Sequence, residues 1–88
     1  MIVEASEQFL DDIKNLRDSK IKQRLLDKIE FLESAPTLHS VSQIKKMKGF
    51  SDAWRIRIGD YRLGFRLIGD TIVLGRFLSR KQIYRFFP

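Results

Sequence analysis

Residues 54–68 read WRIRIGDYRLGFRLI, and their alternation decides the fold. Trp54, Ile56 and Ile58 alternate with Arg55 and Arg57. After Gly59-Asp60, Tyr61, Leu63, Phe65 and Leu67 alternate with Arg62, Gly64, Arg66 and Ile68. A period of two is the pattern of a strand with one buried face. Gly-Asp between two such runs is a two-residue hairpin loop. A second Gly-Asp, Gly69-Asp70, leads into residues 71–78, so the stretch predicts a three-stranded meander.

The two loops fix a register. Ile58 should face Tyr61, Arg57 should face Arg62 and Arg55 should face Gly64. Across the second loop Ile68 should face Thr71, Arg66 should face Val73 and Gly64 should face Gly75. One face then carries Trp54, Ile56, Ile58, Tyr61, Leu63, Phe65 and Leu67, with Ile72 and Leu74. The other carries Arg55, Arg57, Arg62 and Arg66 around two glycines. Like charges directly opposite weaken a strand pair, and glycines within strands mark places where something approaches the backbone closely. Four arginines with no acid in the strand interiors point to an anion-binding surface. Arg76 does not fit: it falls opposite Leu63 on the apolar face, so either it snorkels from the sheet edge or a bulge shifts the last strand.

Upstream, Ile2–Ala5 predicts a short first strand. Ser6 can cap a helix over residues 7–16, with Phe9, Leu10, Ile13 and Leu16 on one side. Asp18-Ser19 caps a second helix whose stripe is Ile21, Leu25, Ile29 and Leu32, widened by Leu26, and Pro36 ends it. Helices with one apolar face and a sheet with one apolar face predict a two-layer α+β domain. The expected order is β-α-α-β-β-β, with the helical hairpin on one face of a mainly antiparallel sheet and the arginine face left open.

The flanks of the meander extend its charge. Residues 44–49, IKKMKG, bring Lys45, Lys46 and Lys48, suited to phosphate contacts. Residues 79–84, SRKQIY, bring Arg80, Lys81 and Tyr84. Phe86 and Phe87 follow, either packed on the sheet edge or presented to a partner chain. The 88 residues form a single domain, 43% hydrophobic, with a net charge of +6. A pI near 10.0 implies an acidic partner. With no cysteine there is neither a disulfide framework nor a thiolate metal site. His39 stands in a polar connector with no Asp, Cys or second His nearby and reads as a surface residue. No metal set, paired-carboxylate site, nucleotide-binding glycine loop or membrane-length apolar run is present. The chain is expected to be cytoplasmic, without cofactor or membrane partner.

The lysine-rich turn, WRIRIGDYRLGFRL and the closing RKQIY together resemble the RelE/ParE superfamily of type II toxin–antitoxin toxins, and within it the RelE-like branch. The likeness covers nearly the whole chain. It implies a ribosome-dependent endoribonuclease that cuts mRNA in the A site and is neutralised by an antitoxin wrapped on its basic surface. By that resemblance, Arg57, Arg62, Arg80 and Tyr84 form the catalytic set. Lys45, Lys46, Lys48, Arg55, Arg66 and Lys81 are expected to bind RNA. The resemblance departs at Ser79, where many members have His, and at Arg55 and Arg57, where members often have Lys. Other readings on the same fold are a ParE-like DNA gyrase inhibitor and a non-catalytic RNA-binding toxin.

Overall fold

In a computed structural model, which describes residues 1–88, five strands and three helices follow one another. They are β1 (Ile2–Ala5), α1 (Glu7–Lys14), α2 (Ser19–Ser34), β2 (Ile44–Lys46), β3 (Ala53–Ile58), β4 (Tyr61–Ile68), β5 (Thr71–Ser79) and α3 (Arg80–Phe86). The first two helices begin where their caps predict. The Ser6 hydroxyl accepts the Phe9 N–H at 3.1 Å, and Asp18 Oδ1 accepts those of Lys20 and Ile21, each at 3.1 Å. Ser6 also donates to the Gly75 carbonyl at 3.0 Å, which ties the start of α1 to β5. α1 ends two residues earlier than the apolar spacing suggests, yet Leu16 is buried all the same.

The core lies between these helices and the sheet. Phe9, Leu16, Leu25 and Leu32 pack on Ile56, Ile58, Leu63, Phe65, Ile72, Leu74 and Phe77. Leu10 and Leu26, expected to flank that stripe, are exposed instead. The sheet order is β1-β5-β4-β3-β2, with β1 parallel to β5 and every other pair antiparallel. β2 is an additional edge strand, made from the first residues of the expected lysine turn.

The β3–β4 register is the predicted one: Ile58 faces Tyr61, Arg57 faces Arg62 and Arg55 faces Gly64. Across β4–β5, Ile68 faces Thr71 and Arg66 faces Val73, also as predicted. The expected Gly64–Gly75 pair does not form. The register shifts between Gly64 and Phe65, so Phe65 faces Leu74, Gly64 faces Arg76, and Gly75 is the extra residue of a β-bulge. The bulge moves Arg76 off the apolar face, and Arg76 then reaches past the sheet edge to Asp12 of α1. Its Nε and Nη2 bond the carboxylate at 2.9 and 3.1 Å. β1 pairs only as far as Ala5–Leu74. The Phe77 N–H beyond that point donates to Asp12 Oδ2 at 2.9 Å.

A second correction concerns the arginine face, which is only partly open. α3 crosses one end of it and buries Ile83 and Phe87 against Met47 and Ala53. The Phe87 ring lies directly over the two glycines: a Cβ on Gly64 would come within 2.5 Å of it and one on Gly75 within 2.6 Å. The glycines therefore receive an aromatic ring of this chain. Phe87 packs inside, and Phe86 is exposed between the guanidiniums of Arg76 and Arg85, 5.9 and 5.8 Å from its ring centre.

Candidate functional site

The open remainder of the arginine face is a cleft of about 390 Å³ lined by Gln43, Ile44, Lys45, Arg55, Arg57, Gly59, Asp60, Arg62, Arg80 and Tyr84. Each cation arrives by a local rule. Alternation along β3 puts Arg55 and Arg57 on this face, and the Gly59-Asp60 loop, with Gly59 at φ +60°, folds Arg62 back beside Arg57. Lys45 stands across from Arg55 on β2. Arg80 and Tyr84, four residues apart on α3, share one helical side. The Arg80 N–H donates to the Asp60 carbonyl at 2.9 Å and so fastens the start of α3 to the hairpin loop.

Ser79 is explained by this geometry. It is the N-cap of α3, 3.4 Å from the Gln82 N–H and 3.2 Å from Gln82 Oε1. Ser79 and Gln82 have the S-x-x-Q spacing of a helix start, legible in the sequence once a helix is expected there, with the Ser79 hydroxyl accepting the Gln82 N–H and donating to Gln82 Oε1.

Arg62 is the unusual member of the cleft. It is only 7% exposed, and its Nη1 donates to the carbonyls of Gly59 and Tyr61 at 3.0 and 2.9 Å. Its Nε is buried without a hydrogen-bond partner. Burial, and then the charges of Arg55, Arg57 and Arg80, hold its pKa below the usual guanidinium value, with Tyr84 acting in the opposite sense. The two ion pairs of the chain, Arg66–Asp52 and Arg76–Asp12, lie outside the cleft. A buried cation crowded by cations and lacking a carboxylate is a preorganised receptor for an anion, with backbone carbonyls holding its plane in place.

The structure assembles Arg57, Arg62, Arg80 and Tyr84 around one cleft, with Arg55 and Lys45 beside them. The Arg55 guanidinium sits 5.2 Å from the centre of the Tyr84 ring, which is itself 57% exposed. Four other expected RNA contacts do not line the cleft. Lys46 faces the opposite side of β2, its ammonium 5.8 Å from the Trp54 ring centre. Lys48 lies in the turn after β2 and Lys81 on the exposed side of α3. Arg66 is bound by both oxygens of Asp52 at 2.8 and 2.9 Å. Gln43 and Asp60 are cleft residues that sequence reasoning did not single out. Gln43 has a left-handed φ of 63°, and nothing in its sequence neighbourhood announces it.

The fold and cleft define a small α+β domain with one cation-lined cleft. Comparison with known proteins gives the family. Residues 3–84 match the family model described as ParE toxin of type II toxin-antitoxin system, parDE. The toxin RelE3 of Methanocaldococcus jannaschii is 40% identical over 81 residues, covering 91% of each chain. A crystal structure of a RelB–RelE antitoxin–toxin complex from Methanococcus jannaschii superposes with a TM-score of 0.82 at 36% identity, covering 97% of this chain and 99% of that one. The archaeal RelE–RelB complex of Pyrococcus horikoshii OT3 shares the fold, with a TM-score of 0.72 at 23% identity, covering 90% of this chain and 93% of that one. The chain belongs to the RelE/ParE superfamily and is a RelE-family toxin of a type II toxin–antitoxin system.

Proposed function

We propose that this toxin is an endoribonuclease that cleaves mRNA in the ribosomal A site by internal attack of a 2′-hydroxyl. The observation that carries the reading is the buried Arg62 among Arg55, Arg57 and Arg80, with no acid paired to it and Tyr84 at the same cleft. In this reaction the 2′-oxygen bonds to the adjacent phosphorus as the P–O5′ bond breaks. The 2′-OH proton goes to a base and O5′ takes up a proton, leaving a 2′,3′-cyclic phosphate and a 5′-hydroxyl end. The phosphorane carries more negative charge than the ground state, and buried donors stabilise it without reorganising.

Arg62 and Arg57, side by side across β3–β4, are the clamp for that charge. Arg80 stabilises the leaving oxygen or donates its proton. Tyr84 serves as base or as a platform for a base of the RNA. An arginine keeps its proton far above neutral pH and is a poor base, so the chain alone offers weak proton transfer. Alignment of mRNA by the ribosome supplies the positioning such a set needs, on the order of several kcal/mol. No cofactor or resident metal is assigned a part.

The partner we propose is an acidic, partly disordered antitoxin, in a toxin–antitoxin hetero-oligomer. Support comes from the net charge of +6 and from the two archaeal relatives crystallised with their antitoxins. Such an association is fast at low ionic strength and weakened by salt. The deciding experiment is single-turnover cleavage of a defined mRNA on saturating ribosomes. Cleavage in the A site supports the reading, and an uncut message overturns it. The ParE description of the matching family model favours a second reading, inhibition of DNA gyrase, which a supercoiling assay with the same preparation separates from cleavage.

A further inference from the structure

α3 supplies two of the four residues assigned to cleavage, yet it is seven residues long. A helix of that length does not hold itself together in water, so its order comes from what it packs on. Its N-terminal end has the Ser79 cap and the Arg80–Asp60 bond. At mid-length Ile83 is fully buried. At its C-terminal end the Phe87 N–H bonds the Ile83 carbonyl at 2.9 Å, and the Phe87 ring, 6% exposed, lies over Gly64 and Gly75. Neither glycine has a left-handed φ. Their missing side chains are therefore required by the ring above them and not by the backbone, because any Cβ would overlap it. The bulge at Gly75 helps shape this seat: it sets Arg76, rather than Gly75, across from Gly64.

We infer that Phe87, seated in a socket formed by Gly64 and Gly75, is a positioning residue that anchors α3 so that Arg80 and Tyr84 face Arg62. The residues that bind RNA ahead of the chemistry, Lys45, Arg55, Arg57 and Arg62, stand on strands whose pairing does not involve α3, although Arg55 also touches the Tyr84 ring. Loss of the socket therefore leaves binding in place and slows the chemical step. This part of the inference rests on the nuclease reading; the anchoring itself does not.

The test uses the full chain, with amide hydrogen exchange beside single-turnover cleavage on saturating ribosomes. In Phe87→Ala, amides 83–86 are expected to exchange faster while β3 and β4 stay protected. The cleavage rate is expected to fall about 100-fold, the scale of an ångström-size misplacement. Ribosome affinity should stay within about twofold, since the change falls on the transition state. Phe87→Met, unbranched and able to enter the socket, should recover part of the rate. Gly64→Ala should reproduce the loss by pushing the ring out. Combining it with Phe87→Ala, which removes the overlap, should give an enzyme no slower than Gly64→Ala alone.

Unchanged α3 exchange in both single variants overturns the inference, as does a fall in β3–β4 protection equal to that in α3, which would make Phe87 an ordinary core residue. A fall in affinity with an intact rate overturns it too. If the wild-type chain does not cleave, the nuclease reading fails by itself, and the exchange comparison still decides whether Phe87 anchors α3.

Discussion

Arg57 and Arg62 stand directly opposite each other across β3–β4, and neither is offset by a carboxylate. Such a pair works against folding, since like charges face each other on a sheet and one of them is buried. An anion bound between the two guanidiniums would offset both charges.

The first prediction is a trade between stability and activity at Arg62. Arg62→Met removes a buried unpaired cation while keeping an unbranched stem, and should raise unfolding stability by ~1 kcal/mol in urea while slowing cleavage ~100–1,000-fold. The sign with pH follows from the depressed pKa of Arg62. As pH rises, the folded state gives up this proton before the unfolded state does, so the cost of Arg62 is relieved only in strongly alkaline solution. Below that range the cost is constant, and the gain from Arg62→Met should be equal at pH 6 and pH 8. A gain that disappears between those values, or a loss of stability, would contradict the assignment.

A second prediction separates chemistry from binding. Arg62→Ala should cost ~100–1,000-fold in single-turnover rate, as loss of one preorganised donor does. It should lower the salt slope of binding by about 1. Lys45→Ala, on the edge strand, should weaken binding and leave the rate at saturation nearly intact. Tyr84→Phe keeps the ring against Arg55 and removes only the hydroxyl. A large loss of rate assigns it proton transfer, whereas near wild-type cleavage leaves it a stacking platform.

The two ion pairs should differ in worth. Asp12 and Arg76 are largely enclosed, with side chains 11% and 21% exposed, and Asp12 also takes the Phe77 N–H. Hydrogen bonding to Asp12 raises the Arg76 pKa. Asp12→Ala leaves Arg76 and a backbone donor without partners and should cost ~3 kcal/mol. Asp52 and Arg66 are 40% and 38% exposed, and Asp52→Ala should cost no more than ~1 kcal/mol. Urea unfolding of both variants checks the ranking, and equal losses would refute it.

Ser79 gives a fourth test. As the cap of α3, Ser79→Ala should cost ~1 kcal/mol of stability, and Ser79→Asn, another good cap, should cost little. If Ser79→Ala unfolds like the wild type, the hydroxyl is not needed as a cap.

How far the sequence foretold all this depends on the range of the interactions. The β3–β4 register, and with it the Arg57–Arg62 pair, follows from alternation and one Gly-Asp loop, all within fifteen residues. The helix caps at Ser6 and Asp18 are as local. Gly64 and Gly75 showed correctly that something approaches the backbone, but its source, Phe87, lies twelve residues or more away and is set by packing. The bulge was one of two readings of Arg76, and both contain part of the answer: the strand shifts, and the guanidinium also leaves the sheet edge for Asp12. α3 was missed because its seven residues, of which only Ile83 is buried, are too short a run to show a helical period.

The parallel pairing of β1 with β5 has a consequence for how the toxin is made. The first strand finds its neighbour only after two helices and three other strands have been synthesised, and Arg80 and Tyr84 come later still. A nascent chain that stops before β5 leaves β1 without its neighbour, and one that stops before α3 lacks the Arg80 and Tyr84 side of the cleft. On the proposed nuclease reading, every translation product that stops before α3 lacks Arg80 and Tyr84, and the four residues assigned to cleavage come together only when the chain has been read through that helix.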